Sequence, residues 1–395
     1  MKLFEFQAKE LFSEAGIRVP RGVLIGPPGN ETGANDAEKA VAELGGEAVL
    51  KAQILMGGRG KKGLIRKVFS GRATGGPAAV ADELFSSSWH VPTILVEELV
   101  TAERELYLSI TVDANAATAL VLASADGGVD IEELARTRPD AIHRVPVAME
   151  RGLAGWQARA LAYDLELEGD RVKEFAVLLA ALWNLFRQYD AELVEINPLF
   201  VTSEGLIAGD GKVSIDDNSL FRQKRYELTR DHFESDAEYE AAQEGIPYLQ
   251  FDGDISLMCA GAGLTTTVYD LVHYEGGTIA NYLEFGGPHY RKAKRAMELC
   301  LQNDSKVILI VTFGTIARAD VMAEGVVEAI RELRPDRPII TCIRGTNEEA
   351  AEKTLRDAGL EPLFDTEEAV RRAVAIAAEG KTVEGRPSPP TGGQS

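Results

Sequence analysis

The sequence predicts an α/β protein with two domains, an N-terminal α+β domain followed by a domain built on a doubly wound parallel sheet. The chain has 395 residues, which is too long for one ordinary hydrophobic core. In the second half, five strand-like runs alternate with five helical segments, and most of these strands end in a Gly-rich turn. The first half mixes strands and helices without that regular alternation.

The apolar pattern orders the elements of the first half. It predicts a helix over 5–14, an extended stretch over 16–25, a helix over 36–44, a strand over 47–55, a glycine-rich loop over 56–63, strands over 92–100, 105–113 and 117–125, and a helix over 171–189. A β-hairpin over 193–212 then closes the domain, with a Gly turn between two apolar runs.

The second half is predicted from its alternating apolar strands and Gly-rich turns. The predicted strands are 255–260, 278–285, 306–313, 337–343 and 361–364, each followed by a helix, the last of which covers 366–379. Ligands bind at the carboxyl ends of the strands in such sheets. The polar segment 229–245 marks a boundary, so the expected domains are 1–240 and 246–382. A Pro/Gly/Ser-rich tail over 383–395 is expected to be disordered.

The composition limits the possible partners. Lys and Arg number 42 against 62 Asp and Glu, a formal net charge of −20, and this argues against a nucleic-acid partner because phosphate contact needs a basic surface. No apolar run approaches the roughly 20 residues of a membrane span, and the first residues lack a signal-peptide core. Cys259, Cys300 and Cys342 lie far apart, which favours reduced thiols in a cytoplasmic protein.

A glycine loop follows the strand that carries Lys51. Gly57, Gly58 and Gly60 flank Arg59, and two lysines follow. Glycines let backbone N–H groups close around phosphate oxygens, and the cations balance their charge. The loop does not run into a Lys-Ser/Thr pair that opens a helix, so it is not a P-loop. On this pattern alone, a flexible basic turn and a phosphate site are equally supported.

Acidic residues cluster where the next strand ends. Glu97 and Glu98 close one strand and Glu105 opens another. A carboxylate at a strand end can bind a ribose or an adenine. Solvated charges bracketing a loop are an equally good explanation from the residues alone.

The hairpin over 193–212 places polar groups among apolar ones. Glu195 and Asn197 are two residues apart on a strand and therefore share a face. Asp210, near the end of the returning strand, can come alongside them. Carboxylate and amide oxygens suit Mg²⁺. The alternative, exposed charges on an edge hairpin, is disfavoured because apolar neighbours surround them and an unpaired buried charge is costly.

Three helix starts in the second half are suited to anions. GAGLTTT, FGTIARAD and IRGTNEE each place backbone donors at the beginning of a helix after a strand. Arg344 in the third segment can bind a carboxylate through two hydrogen bonds. A tight turn explains each segment singly, whereas three on one edge favour an anionic substrate.

Together these segments resemble a known family. KAQILMGGRGKKG, ILVEELVTAERELYL, SADGGVDIEELA, VEINPLFVT, DDNSLFRQ and the GAGL and FGTI loops are similar, in order, to the β subunits of the succinyl-CoA synthetase family. The similarity runs from residue 1 to about residue 380. It implies an ATP-grasp domain followed by a flavodoxin-like, doubly wound ligase domain.

The resemblance also implies roles for individual residues. The nucleotide-binding positions it indicates are Lys51, Gly58, Arg59, Gly60, Glu97, Val100 and Glu105. Asn197 and Asp210 would ligate Mg²⁺, Glu195 would face the reacting phosphoryl group, and Lys51 would help to neutralise that group. Pro20 falls where ADP-forming members tend to have Pro, which favours ATP/ADP as the nucleotide.

The resemblance implies a partner as well. In this family the phosphoryl group passes through a histidine on a separate α subunit, which also binds CoA, in an αβ or α2β2 assembly. None of the five histidines of this chain lies in a Gly-His-Ala-Gly type of loop. The helix after Gly263 would offer its N-terminus to that phosphohistidine.

The acid-binding end departs from the succinate pattern. Ala260 begins the segment that usually reads Asn-Gly-Ala-Gly-Leu, and NYLEFGGP replaces Asn-Phe-Leu-Asp-Val-Gly-Gly-Gly. The residues expected at the acid substrate are Ala260, Gly261, Thr315, Ile316, Ala317 and Arg344. A lost amide and a gained hydroxyl would alter carboxylate recognition.

We first expect succinate to be the acid substrate and the reaction to belong to the tricarboxylic acid cycle. A citryl-CoA synthetase or ATP-citrate lyase type of subunit is the alternative, because the ligase half also resembles those enzymes. Two other classes stay open, a non-catalytic ATP-binding regulatory subunit and a biosynthetic ATP-grasp ligase that acts alone.

Overall fold

The computed structural model of the chain describes residues 1–27, 35–71, 75–286, 292–314 and 318–379. The chain divides into two compact units, Met1–His232 and Phe233–Ser395. The division lies inside the polar segment 229–245. Among the described residues, no helix is both long enough and apolar enough to cross a membrane.

The first unit contains six helices and ten strands in the part of the chain that is described. The helices are α1 (Glu5–Glu14), α2 (Asn35–Glu43), α3 (Pro77–Phe85), α4 (Ile131–Thr137), α5 (Gly155–Asp164) and α6 (Asp170–Gln188). The strands are β1 (Gly22–Ile25), β2 (Glu47–Ala52), β3 (Ile65–Phe69), β4 (Ile94–Glu98), β5 (Arg104–Asp113), β6 (Thr118–Ser124), β7 (His143–Val147), β8 (Ala191–Thr202), β9 (Gly205–Ala208) and β10 (Lys212–Ile215).

Two antiparallel sheets organise this unit. A four-stranded sheet has the order β1-β4-β2-β3, and a six-stranded sheet has the order β10-β8-β5-β6-β7 with β9 also paired to β8. Helix α6 covers the larger sheet, because Phe175, Leu179 and Leu182 recur at helical spacing and are fully buried in its core. Helix α1 joins the same core through Leu11 and Phe12.

The hairpin predicted over 193–212 is more elaborate than one returning strand. After the turn, β9 pairs with the end of β8, with Leu199 opposite Ala208. The chain then continues along the same edge as β10, with Glu195 opposite Lys212. Asp210 therefore lies in the three-residue link between two short strands, opposite the stretch of β8 that carries Asn197.

The second unit alternates strands and helices. Its elements are α7 (Asp236–Gln243), β11 (Tyr248–Gln250), β12 (Ile255–Ala260), α8 (Ala262–Tyr274), β13 (Ile279–Leu283), α9 (Ala293–Cys300), β14 (Val307–Gly314), α10 (Ala319–Leu333), β15 (Ile339–Gly345), α11 (Glu348–Asp357) and α12 (Thr366–Glu379).

The sheet of this unit has the order β11-β13-β12-β14-β15. The neighbours β13, β12, β14 and β15 are parallel, and the edge strand β11 is antiparallel. Both faces of β12 are buried, since Met258 lies in one hydrophobic cluster and Leu257 in another. Helices therefore cover both faces, and the predicted doubly wound architecture is confirmed.

One predicted strand, 361–364, is wrong. This segment makes a single bridge to β15, between Thr341 and Pro362. Proline has no N–H to donate, so the ladder ends after Leu363 donates to Thr341 O. The fifth strand is instead β11, which has only three residues and was not predicted.

A buried polar network joins the amino ends of the central strands. Asn303 donates from Nδ2 to Ser256 Oγ at 3.0 Å and to Asn281 Oδ1 at 2.9 Å. Its Oδ1 accepts from the Ser305 backbone N–H at 3.0 Å. Because these residues are buried, removal of Asn303 would leave Asn281 Oδ1 and the Ser305 N–H without these hydrogen bonds, whereas Ser256 Oγ keeps its bond to Ser305 Oγ.

Asn303→Ala should lower the free energy of unfolding by about 2–3 kcal/mol, since two buried polar partners lose their hydrogen bonds. Chemical denaturation of the full chain measures this. The exposed neighbour Gln302→Ala is the control and should change the value by less than about 0.5 kcal/mol. Equal losses for the two variants would contradict the importance of the network.

Candidate functional site

Six ionisable side chains meet in the first unit and form what we call the ion cluster. They come from α1, β2, β4, the glycine loop and the β9–β10 link: Glu5, Lys9, Lys51, Arg59, Glu97 and Asp210. Three are cations and three are anions, so the formal charges balance. That balance matters because an uncompensated buried charge is strongly destabilising.

Lys51 lies at the centre of the ion cluster. Its Nζ lies 2.8 Å from Glu5 Oε1 and 2.8 Å from Glu97 Oε2, and it donates to Gly209 O at 2.7 Å. Strand β2 buries this side chain between the two carboxylates. Burial opposes the charge of Lys51, but Glu5, Glu97 and Asp210 together raise its pKa above the ordinary value.

Helix α1 supplies one anion, Glu5, and one cation, Lys9, which lie one helical turn apart. Lys9 Nζ lies 2.8 Å from Glu5 Oε1 and 2.5 Å from Glu97 Oε1, and it donates to Gly209 O at 2.8 Å. Residues four apart share a helix face, so both point from α1 into the ion cluster. Helix α1 therefore joins the four-stranded sheet to the β9–β10 link.

Arg59 extends the ion cluster to the glycine loop. Its Nη2 donates to Glu5 Oε2 at 2.6 Å and to the two oxygens of Asp210 at 3.2 and 3.1 Å. Its Nη1 donates to Ala52 O at 3.1 Å. The turn before Arg59 requires glycine, because Gly58 has a φ of +70°. Gly58 and Gly60 are exposed beside this anchored guanidinium.

The anions of the ion cluster differ in their proton affinity. Burial raises the pKa of Glu5, but Lys51, Lys9 and Arg59 outweigh it and hold that pKa well below the ordinary value. The pKa of Asp210 is raised by burial and by the charge of Glu5. The carboxylate predicted to bind metal is thus the easier of these two to protonate.

Glu195 lies next to a buried tyrosine on the neighbouring strand. Tyr107 donates its hydroxyl proton to Glu195 Oε2 at 3.0 Å and accepts from the Ser109 hydroxyl, whose Oγ lies 2.9 Å away. Burial raises the pKa of Glu195, while Lys212 and the Tyr107 hydroxyl oppose that rise and the charge of Asp210 adds to it. The charge of Asp210 in the ion cluster therefore acts on the Glu195 carboxylate.

Asn197 is held by the loop before α4, which contains Gly127 and Gly128. Its Oδ1 accepts from the Gly128 backbone N–H at 2.8 Å, and its Nδ2 donates to Val129 O at 2.9 Å. Gly128 has a φ of +69°, which favours glycine, and a Cβ there would lie 2.3 Å from Glu105 Oε2, so this loop lies against Glu105. The structure thus brings Asn197 and Glu105 together.

The oxygen groups of Asn197 and Asp210 fit Mg²⁺ by their chemistry, since this ion takes one or two protein carboxylates and completes its shell with water and phosphate oxygens. Asp210 keeps 27% of its side chain exposed. Among the described residues, no group of three or more His, Cys, Asp and Glu side chains could hold a metal without such help.

The predicted nucleotide positions fall into two sets. Lys51, Arg59 and Glu97 are enclosed in the ion cluster, whereas Gly58, Gly60, Val100 and Glu105 are exposed or half-buried.

The sequence did not predict Glu5, Lys9 and Tyr107 as members of the site. For Glu5 and Lys9, the available signal was their position on the same face of α1 as the apolar residues Ala8 and Phe12.

Ala260 and Gly261 lie at the carboxyl end of β12 in the second unit. Gly261 has a φ of +93° and immediately precedes α8, and its carbonyl accepts from Thr265 N at 2.9 Å. A Cβ on Gly286 would lie 2.9 Å from Ala260 Cβ. The segment after β13 therefore packs closely on the predicted acid-binding residue.

Arg344 is the penultimate residue of β15 and lies two strands away from Ala260 at the same sheet edge, a separation of about 10 Å. Its Nε lies 2.8 Å from Glu348 Oε2, its Nη1 donates to Phe364 O, and its guanidinium lies over the Phe364 ring. Arg344 lowers the pKa of Glu348. Thr315, Ile316 and Ala317 lie outside the described residues.

Two family models match the chain. Residues 2–201 match the ATP-grasp domain, and residues 258–376 match CoA-ligase. The two matches together cover most of the sequence, in the order that the motifs predict.

Curated relatives match nearly the full length. The chain is 57% identical to a subunit of the ADP-forming sulfoacetate-CoA ligase of Bilophila wadsworthia, over 96% of this chain and 99% of that protein. It is 56% identical to the corresponding subunit from Acholeplasma, over 95% and 92%. It is 40% identical to the succinate-CoA ligase [ADP-forming] β subunit of Ignicoccus hospitalis, over 95% and 99%.

A solved structure shares the fold. The ATP citrate lyase of Methanothrix soehngenii, in complex with citrate and coenzyme A, aligns with a TM-score of 0.68 over 96% of this chain and 99% of that chain. The sequence identity is 21%, so the likeness concerns architecture alone.

Tyr107→Phe should raise the pKa of Glu195 further, because the lost hydroxyl hydrogen bond stabilises the ionised carboxylate. NMR titration of the ¹³C-labelled glutamate carboxyl groups measures this, with Glu195→Gln to assign the signal. Tyr163→Phe, on the exposed side of α5, is the matched control. An unchanged or lower pKa in Tyr107→Phe would contradict the contact.

Proposed function

This chain belongs to the family of ADP-forming acid–CoA ligases as a β-type subunit, and we propose from that premise that its acid substrate is sulfoacetate. The resemblance stated from the motifs is thereby confirmed, as are the ATP-grasp and ligase domains and the acid–thiol ligase class. The proposed overall reaction is sulfoacetate + CoA + ATP giving sulfoacetyl-CoA + ADP + phosphate.

The degree of similarity to the relatives carries the choice of acid. The chain is 57% identical to a sulfoacetate-CoA ligase subunit and 40% identical to a succinate-CoA ligase β subunit. Sulfoacetate resembles succinate in having a carboxylate to activate and a second anionic group. The second group is a tetrahedral sulfonate rather than a planar carboxylate, so the two acids need different hydrogen-bond donors.

The acid-binding end supports the same choice. Ala260 stands where the succinate pattern has Asn, so the amide that this pattern offers to a carboxylate is missing. Arg344 offers a fork of N–H donors at the same sheet edge. We assign sulfonate recognition to this edge, with Gly261 as a further member, and we assign Thr315, Ile316 and Ala317 to the acid from the sequence pattern alone. Succinate, the expectation from sequence, is the second candidate because of the relative at 40% identity.

Phosphoryl transfer is assigned to the first unit. Lys51 and Arg59 would bind the phosphates, with backbone N–H groups of Gly58 and Gly60 beside them. Mg²⁺, held by Asn197 and Asp210, would neutralise charge that develops on the transferred group. Glu195 would face that group. Glu97 would act through Lys51, which it contacts at 2.8 Å. Val100 and Glu105 would contact the nucleoside, with ATP rather than GTP as the nucleotide.

A partner α subunit completes the proposed enzyme in the cytoplasm, as an αβ or α2β2 assembly. Its histidine would take the γ-phosphoryl group from ATP and pass it to the substrate carboxylate. CoA thiolate would then attack the acyl phosphate and release phosphate. The N-terminus of α8, which begins after the left-handed Gly261, would stabilise the phosphohistidine.

Co-expression with the α subunit should give an enzyme with kcat/KM at least about 10-fold higher for sulfoacetate than for succinate. ADP release in the presence of CoA measures this over a panel of sulfoacetate, succinate, malate and citrate. A preference for succinate or citrate would overturn the proposed acid. ADP release without CoA and with an amine acceptor would indicate a ligase that acts alone.

Asp210→Ala should lower the rate of Mg·ATP-dependent phosphorylation of the co-purified α subunit by about 100-fold or more, because it removes the carboxylate assigned to Mg²⁺. The fold should persist because Arg59 keeps its pair with Glu5 at 2.6 Å. Glu192→Ala, exposed on β8, is the control. Unchanged phosphorylation in Asp210→Ala would contradict the metal assignment.

A further inference from the structure

We infer that Glu5 is a positioning residue for nucleotide binding, which holds Lys51 and Arg59 in the geometry that receives the phosphates. The inference rests on the proposed assignment of Lys51 and Arg59 to the phosphates. Glu5 itself carries no role in the resemblance and lies on α1, outside the strands and the loop assigned to the nucleotide.

The geometry of the Glu5 carboxylate carries the inference. Its two oxygens bind different cations, with Oε1 at 2.8 Å from Lys51 Nζ and Oε2 at 2.6 Å from Arg59 Nη2. Its side chain is 1% exposed. A buried carboxylate that spans two cations fixes the distance between them, and charge-assisted hydrogen bonds of this kind are the strongest in proteins.

Within the described part of the chain, Glu5 is the acid that forms close ion pairs with both Lys51 and Arg59. Glu97 pairs with Lys51 and Lys9, and Asp210 pairs with Arg59. Lys9 contacts both glutamates. The separation of the two assigned phosphate cations therefore depends on one side chain.

Arg59 needs such an anchor because of where it lies. It stands in an exposed glycine loop, in which Gly58 has a φ of +70°, and a long side chain on such a loop loses considerable entropy when it is ordered. Its other acidic partner is Asp210, which is also the proposed metal ligand. Glu5 can keep Arg59 in place while Asp210 binds Mg²⁺.

Two substitutions separate positioning from charge. Glu5→Asp keeps the charge but shortens the side chain by one methylene, so that it cannot reach both cations together. Glu5→Gln keeps the length but removes the charge. Both should weaken binding of a fluorescent ATP analogue to the full chain by about 10-fold or more. In the holoenzyme both should raise KM for ATP and leave KM for the acid unchanged.

Three controls make the result decisive. Glu10→Asp and Glu10→Gln alter a side chain on α1 that is 52% exposed, and they should bind the analogue as wild type does. Leu179→Val removes a methylene from the core of the first unit and alters no member of the ion cluster, so it should lower Tm and leave the affinity within about 3-fold. If Glu5→Asp does not fold, Glu5→Gln and Leu179→Val still give the comparison.

Wild-type affinity in Glu5→Asp would overturn the inference, as would an equal loss of affinity in Leu179→Val. Either result would mean that Glu5 contributes only charge or only stability. Failure of the proposed function would give a different result, because the wild-type chain itself would then not bind the ATP analogue.

Discussion

The charge balance of the ion cluster is the constraint on which the first unit depends. Three cations and three anions meet there, and removal of any member other than the partly exposed Asp210 leaves a buried charge without its partner, at a cost of several kcal/mol. The members come from α1, the four-stranded sheet, the glycine loop and the β9–β10 link at the larger sheet. The two sheets and the N-terminal helix are therefore positioned by the same interaction.

Both candidate sites keep their cations paired with protein acids. Arg59 is shared by Glu5 and Asp210, and Arg344 is held by Glu348 in the other unit. Pairing orders a long side chain, and a substrate anion can then add to or exchange with the protein carboxylate. In the first unit, nucleotide binding and metal binding would therefore be coupled, because Arg59 and Mg²⁺ would both bind the Asp210 carboxylate.

The sequence predicts repetitive features well and tertiary contacts poorly. Strands β12 to β15 were predicted because a strand buried on both faces is a nearly continuous apolar run, whereas the three-residue β11 carries too little pattern. The two-residue period of β8 predicted that Glu195 and Asn197 share a face, and in the structure the charge of Asp210 acts on Glu195. Glu5 and Lys9 were missed because a Glu–Lys pair four residues apart usually lies on a helix surface. Their burial depends on packing between distant segments, which no local pattern records.

We propose that the ion cluster joins the glycine loop and the β9–β10 link into one nucleotide site. Amide hydrogen exchange of the full chain, with and without a non-hydrolysable Mg·ATP analogue, measures whether the two segments respond together. Slower exchange at both 57–63 and 209–211 is the result expected from the shared contacts of Lys51 and Arg59. Slower exchange in only one of these segments, or in neither, would contradict the claim.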